Sequence, residues 1–449
     1  MEEKERSLQG HRLLRAAAEA SNPSSREYIP IVHAIRDDHI QHAKETIKSE
    51  KIIAELSEEI STECENLIKV LESAQYLEQV EWRAQDRIIS KGEKLACRFM
   101  TALLKDQGVD ATYIDMSDVL KPSTTPNSIR IDATFYVALA QALGERVLAC
   151  GDSVPVITGY FGNVPNGLLD TIGRGYTDLC AALVAVGVKA RELQVWKEVD
   201  GIFTADPRKV PTARLLPAVT PSEAAELTFY GSEVIHPFTM EQVIRARIPI
   251  RIKNVMNPKG NGTVIYPDPV DDLTSRPATP KASRMFRTRS FRPKADLPVG
   301  PKRPTAITVK RNIVILNVHS NKRIGHSGFM SNVFAILDRW NLSQDLMSTS
   351  EVHVSIALHS ESGMLSGSSD ETEIEIRDED LLGAVKELSE FGTIDLVNDM
   401  AIVSLVGKQL KNMVGISGKF FSTLGNNNIN IEMISQGKRF EYTAELCRG

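Results

Sequence analysis

Residues 27–107 carry apolar side chains at three-to-four spacing, and from Ile35 to Val80 there is neither glycine nor proline. That period is helical. The stretch from Ile35 to Val80 reads as a pair of packed amphipathic helices. His39 and His42 fall inside it and are expected to be solvated rather than metal ligands.

From residue 109 to 266 the pattern changes to short apolar runs separated by helical segments. VLAC (147–150), VPVITGYF (154–161), ELQVW (192–196) and IPIRI (248–252) read as strands. Helices are expected at 133–144, 177–189, 221–229 and 239–246. Alternating strand and helix predicts an α/β domain with a mostly parallel sheet covered by helices on both faces. In such sheets ligands sit beyond the carboxyl ends of the strands, so the loops there are the places to seek chemistry.

Residues 267–304 hold eight prolines and nine Lys or Arg. Such a stretch cannot bury a core and reads as a basic, solvated linker. Beyond it the pattern repeats. NIVILNV (312–318) matches DMAIVSL (399–405), and FAILDRWNLSQDLMS (334–348) matches FSTLGNNNINIEMIS (421–435), both at an offset of 87 residues. Each copy reads strand, loop, helix, strand, which suggests two small paired α+β domains. HSESGMLSGSSDETE (359–373), between the copies, reads as an exposed loop.

Composition narrows the functional classes. A net charge of −5 gives no case for nucleic-acid binding. No run approaches the ~18 apolar residues of a membrane helix. The acidic start, MEEKERSLQG, lacks the apolar core of a secretory signal. Five scattered cysteines without a CxxC suit a reducing compartment, and a cytoplasmic location is expected.

Four loops can carry chemistry. In SKGEKLACRFMTALL (90–104), Glu93 either favours a helix N-terminus electrostatically or aims a carboxylate at a cationic group of a ligand. In GYFGNVPNGLLDTIGRGYTD (159–178), Gly173 and Gly175 let backbone amides approach an anion, and a helix begins near Thr177. Arg174 adds a planar cation suited to carboxylate or phosphate, and Asp178 can grip an ammonium. Neither a Walker A lysine loop nor GxGxxG is present. A flexible turn capping a buried helix stays open as the plainer reading.

In WKEVDGIFTADPRKV (196–210), Lys197, Glu198, Asp200, Asp206 and Arg208 fall close together. Phe203 and Ile202 can offer an apolar surface to a planar base, and Lys197 or Arg208 can steady a polyphosphate. An ordinary charged surface loop is the alternative. In YGSEVIHPFTM (230–240), His236 has no partner at ligand spacing and is expected to be structural. The loops together suit a nucleotide and a small zwitterionic amino acid, because phosphoryl transfer needs positioning and charge neutralisation.

The run from VPVITGYF through GRGYTD, WKEVDGIFTADPR and YGSEVIHP to IPIRIKN resembles aspartate kinases of the fungal branch, and the repeat is similar to their paired ACT domains. The resemblance runs from about residue 10 to 436. It implies an amino-acid kinase fold followed by two ACT domains: a catalytic domain at 1–266, the linker at 267–304, a first ACT domain at 305–395 and a second, truncated one at 396–449. It also implies phosphoryl transfer from ATP, with Mg2+, to the side-chain carboxylate of L-aspartate. That is the first step toward methionine, threonine and isoleucine.

By position, Arg174 would hold the substrate α-carboxylate, with Asp178 and Glu93 in the aspartate pocket. Lys197, Glu198, Phe203 and Arg208 would line the nucleotide site, with Glu233 and Val234 nearby. Gly328, Phe329, Met330, Asp345, Thr349 and Ser350 match the effector pocket, with threonine as the expected effector. A homo-oligomer formed through the ACT domains is implied.

The sequence departs from the family in three places. GRGYTD has Tyr176 and Thr177 where the family has Gly and Ser. The family's opening KFGGTSVG, whose lysine and glycines serve the transferring phosphate, is absent, and His11 falls where the family has Thr or Ser. After ISQG (434–437) the similarity stops at KRFEYTAELCRG, so the closing strand of the second ACT unit is expected to be missing. The last two of these departures lead to the expectation that the 449-residue chain has little or no kinase activity. A catalytically inactive amino-acid-sensing paralogue, a truncated gene model and a role in a secondary-metabolite pathway such as that to fusaric acid are the alternatives.

Overall fold

The computed structural model describes residues 12–76, 82–120, 133–162, 175–229, 235, 237–267, 304–320, 328–350, 353–359, 365–366, 375–407, 410, 413–435 and 441–445. The chain divides into two compact units. One comprises Met1–Val195 with Ile235–Arg251, and the other Trp196–Val234 with Ile252–Gly449.

The first unit opens with long helices, Tyr28–Thr46, Glu50–Tyr76 and Trp82–Asp106. Leu56, Ile60, Cys64, Leu67 and Leu71 recur at three-to-four spacing and are all buried in one core with Leu13, Val32, Ile35 and Leu95. The break between the first two has no glycine or proline. Ile47 turns extended (φ −98°, ψ 135°) and buries its side chain. The Asp106 carboxylate, arriving from the end of the third helix, accepts the Lys48 and Ser49 amides at 3.1 and 2.9 Å. A distant carboxylate therefore satisfies the free amides of a helix start. His39 is buried, not solvated as its sequence context suggested. Its Nδ1 lies 2.8 Å from the Ile35 carbonyl, and burial holds its pKa below the ordinary value.

Strands β1 (Ala111–Ile114) and β2 (Val154–Ile157) pair in parallel. The VLAC strand expected at 147–150 does not form. Helix Ala133–Leu148 runs through its first half, with Leu139, Ala140, Leu143 and Val147 facing the core and Leu148 exposed. Helix Tyr176–Gly187 packs against it so closely that a Cβ on Gly187 would lie 2.0 Å from the Ala140 carbonyl oxygen. Glycine is required there by space alone.

Strands β3 (Leu193–Lys197), β4 (Ala218–Val219), β5 (Ile250–Asn254) and β6 (Thr263–Ile265) form a sheet in the order β3-β5-β6-β4, with β4 and β6 parallel. Helices Pro221–Phe229 and Pro237–Arg245 both begin on proline, which is pre-set for the first helical position. Of the Pro-rich stretch 267–304, only the two end residues are described.

The repeat folds as one six-stranded antiparallel sheet. Its strands are β7 (Ala306–Ser320), β8 (Gln344–Thr349), β9 (His353–His359), β12 (Gly392–Val406), β13 (Met433–Ser435) and β14 (Glu441–Glu445), in the order β13-β14-β12-β7-β9-β8. The two 15-residue strands β7 and β12 pair down the centre, so the copies mirror one another outward from them. Edge strands β8 and β13 also come into contact, which curls the sheet toward closure. One face packs Val314, Leu316, Val354 and Ile356 against helices Phe329–Arg339 and Glu379–Leu388. The other gathers Ile313, Ile315, Ala357, Met400, Ile402 and Met433.

Two expectations are corrected here. EYTAE forms β14 and pairs with both β12 and β13, in the place of the closing strand thought to be missing. Within the expected loop 359–373, Leu365–Ser366 (β10) pairs with Glu375–Ile376 (β11) in a short ladder.

Candidate active site

Glu93 lies in the middle of helix Trp82–Asp106, not at a helix start. The electrostatic reading of its position therefore fails. Its side chain instead collects donors from two other elements. Oε2 accepts the backbone amides of Gly159 at 3.1 Å and Tyr160 at 3.0 Å, in the loop just after β2. Oε1 accepts the Thr177 hydroxyl at 2.7 Å. The buried Tyr176 phenol is held above its ordinary pKa by burial first and then by the nearby Glu93 carboxylate.

The approach of loop to helix demands a glycine, since a Cβ on Gly159 would sit 2.6 Å from Thr177 Cγ2. Thr158, fully buried, accepts the Met116 amide at 2.9 Å and ties β2 to the end of β1. Asp178 occupies the first turn of helix Tyr176–Gly187, where a carboxylate suits the positive helix end. Burial, with Asp86 nearby, pushes the Tyr160 phenol up to about 12. Both tyrosines therefore stay neutral. Burial also raises Cys180 to about 12 and Cys97 to about 11, so neither is a nucleophile near neutrality.

The structure thus joins Glu93 to Thr177, which shares the first turn of one helix with Asp178. Arg174, Glu233 and Val234 lie outside the described residues, as do His11 and His236. Sequence reasoning passed over Tyr160 and Thr177 as donors, and Tyr176 as the buried phenol near Glu93. The signal for the last two was the replacement of small residues in GRGYTD.

The second group sits in the other unit. Asp200 accepts the side-chain amides of Asn254 and Asn257 at 3.1 and 3.3 Å. Gly201 (φ 141°) lets Thr263 Oγ1 reach the Ile202 amide at 2.9 Å. Ile202 is buried and packs in the interior instead of offering a surface to a base. Phe203 bridges to Leu215 and is half-buried. Arg208 is exposed and its Nε lies 3.2 Å from Asp206, whose carboxyl it holds below the ordinary range. Lys197 ends β3. Beside it the half-exposed Trp196 ring carries the Lys253 ammonium 4.7 Å from its centroid.

The ACT residues are set out along one copy of the repeat. Gly328 (φ 132°) caps helix Phe329–Arg339, and its carbonyl accepts the Asn332 amide at 2.8 Å. Phe329 and Met330 pack against the helix-side core. Asp345 pairs with Lys310 at 2.6 Å, its side chain 6% exposed. Thr349 ends β8, and the Ser350 amide donates to the His353 carbonyl at 2.7 Å. Among the described residues no three His, Cys, Asp or Glu are grouped to hold a metal ion.

Residues 30–254 match the amino acid kinase family, and 403–441 match an ACT domain. The aspartokinase of Candida albicans is 50% identical over 435 residues, covering 95% of this chain and 76% of that protein. The chain belongs to the aspartokinase family. The aspartokinase of Schizosaccharomyces pombe is 49% identical, covering 95% of this chain and 78% of its own. Escherichia coli aspartokinase III in complex with lysine and aspartate superposes with a TM-score of 0.70 at 25% identity, covering 97% of this chain and 87% of that one. The amino-acid kinase and ACT architecture inferred from sequence is therefore the family's own. No helix among the described residues is long and apolar enough to cross a membrane.

Proposed function

We propose that this protein transfers the γ-phosphoryl group of ATP to the side-chain carboxylate of L-aspartate, giving 4-phospho-L-aspartate. Half-identity to fungal aspartokinases across 95% of the chain carries this reading. The Glu93 cluster supports it locally, because it builds a fixed, polar, amide-lined wall at the head of the GRGYTD helix.

In this reading Arg174 takes the α-carboxylate of aspartate, and Asp178 and Glu93 lie in the same pocket. Lys197, Glu198, Phe203 and Arg208 serve the nucleotide, with Glu233 and Val234 nearby. Exposed Arg208 and the flat apolar ring of Phe203 are the group types a polyphosphate and a base require. Magnesium supplies charge neutralisation on the phosphates and is held chiefly by their oxygens, with one or two carboxylates at most. The protein's own share is positioning: rigid donors that keep the acceptor carboxylate in line cost no reorganisation during transfer.

The ACT sheet is the regulatory part. Gly328, Phe329, Met330, Asp345, Thr349 and Ser350 form the effector site for threonine, and a homo-oligomer assembles through this sheet in the cytoplasm. The test is hydroxamate trapping of the acyl phosphate by the purified chain, with threonine titrated in. Product that depends on both ATP and aspartate, and falls with threonine, supports the reading. No product alongside intact threonine binding would favour an amino-acid sensor instead.

A further inference from the structure

His319 on β7 and His353 on β9 are a direct cross-strand pair, and their Nδ1 atoms lie 3.0 Å apart. The next pair along the same face is Asn317 and Ser355. Ser355 Oγ donates to Asn317 Oδ1 at 2.6 Å and also lies 2.6 Å from His353 Nε2. A serine hydroxyl has one proton, and this one is spent on Asn317. His353 Nε2 therefore carries the proton of the second contact. That fixes the tautomer and leaves His353 Nδ1 as a lone pair toward His319. Asn317 is buried, so the far end of this relay is anchored in the sheet, while the His319 ring is exposed. On the other side of β7, β12 sets Thr393 opposite His319 and Asp395 opposite Asn317, which adds only oxygen groups.

We propose that His319 and His353 chelate a divalent transition-metal ion of the Ni2+ or Cu2+ kind, which takes the place of the proton between their Nδ1 atoms. Two nitrogens 3.0 Å apart subtend about 90–97° at an ion ~2.0–2.1 Å from each, the usual metal–imidazole distance. That angle suits square-planar, tetragonal or octahedral coordination and is small for tetrahedral zinc. Among the described residues no third His, Cys, Asp or Glu joins the pair, so water completes the coordination. On binding, His319 keeps its one proton and moves it from Nδ1 to Nε2. Both Nδ1 lone pairs then face the ion, and no proton is lost from the protein. The Ser355 contact supplies the outer hydrogen bond that orients a ligating histidine. Magnesium takes oxygen ligands, so two imidazoles make a site distinct from any phosphate-bound ion. The chelated ion joins β7 to β9 at the end of the sheet where the Ser350 amide donates to the His353 carbonyl at 2.7 Å.

The experiment titrates NiCl2 into the full chain, stripped with EDTA and desalted, and reads binding by calorimetry in the presence of excess MgCl2. Wild type is compared with His319→Asn, His353→Asn and Ser355→Ala, with thermal unfolding recorded for each, with and without NiCl2. Wild type should show one saturable class of site that magnesium does not occupy, and NiCl2 should raise its thermal midpoint. Either histidine variant should lose that class entirely, because chelation needs both nitrogens. Ser355→Ala should keep the class but weaken it about tenfold, the usual cost of removing the outer partner of a metal-ligating histidine. No saturable class in wild type, or a class that survives in either histidine variant, would overturn the proposal. The second result would mean that the histidines bind singly, as any exposed imidazole does. If a variant unfolds early, wild type alone decides. Ni2+ should protect His319 and His353 from diethyl pyrocarbonate, read by peptide mass spectrometry, and equal modification with and without the ion would overturn the site.

Discussion

Asn312 and Asp399, 87 residues apart, both hold left-handed backbone, at φ 58° and 56°. They open the matched runs NIVILNV and DMAIVSL on the two central strands. The correspondence extends to Asn341 and Asn428 (φ 49° and 57°) and to Gly328 and Gly415 (φ 132° and 81°), each at the same spacing. The duplication therefore keeps its backbone turns as well as its apolar pattern. Asn and Asp tolerate this region better than other non-glycine residues.

Replacing Asn312 by Gly should leave stability unchanged or slightly improved. Replacing it by Val should cost about 1–2 kcal/mol, because a β-branched residue resists positive φ. Urea unfolding of the pair checks this, and equal midpoints would be the contrary result.

Gly187→Ala places a methyl 2.0 Å from the Ala140 carbonyl oxygen, where only backbone movement can relieve it. A loss of about 1–3 kcal/mol is expected, the range for overpacking a tight contact. Thermal unfolding should show a lowered midpoint. Gly108→Ala, which has open space but φ 79°, gives the comparison for strain without crowding.

Gly159→Ala should act on function more than on stability. The methyl meets the end of the Thr177 side chain, 2.6 Å away, and that side chain is one of the supports of Glu93. Aspartate KM should rise several-fold, with ATP KM little altered. A variant with both constants at wild-type values would show that the loop and helix start need not approach so closely.

Lys310→Met removes the partner of a carboxylate that is 6% exposed. Leaving a buried charge unpaired costs about 3–5 kcal/mol, while replacing both partners by apolar groups is often neutral. Lys310→Met/Asp345→Leu should therefore recover most of the stability lost by Lys310→Met alone. Denaturant titration distinguishes these outcomes.

Acid should weaken the fold through two histidines. Burial lowers the pKa of His39 and, with His319 beside it, that of His353. Their folded-state values lie below the ordinary 6.5, so the folded protein favours the neutral form. This contribution is whole above about pH 6.5 and is lost as pH falls below it toward the depressed values. Thermal midpoints measured from pH 7.5 to 5 should fall, and the fall should be smaller in His39→Gln. A flat profile in the wild type would contradict both directions.

The sequence by itself determined the element types that rest on local pattern. The three-to-four spacing of Leu56, Ile60, Cys64 and Leu67 sets a helix and names its buried face, because side-chain direction follows backbone period. The offset between the two copies fixes two like units. GRGYTD and WKEVDGIFTADPR mark their loops through glycine and charge. Tertiary structure decided the rest, where partners come from far along the chain. The helix break at Ile47–Ser49 depends on Asp106, and the extent of helix Ala133–Leu148 on a core that outweighs the strand propensity of VLAC. β14 forms because β12 and β13 offer open ladders to pair with. Glu93 reads in sequence as a residue near a helix start. Only the fold, by carrying Gly159, Tyr160 and Thr177 to it, makes it the fixed charge at the head of another helix.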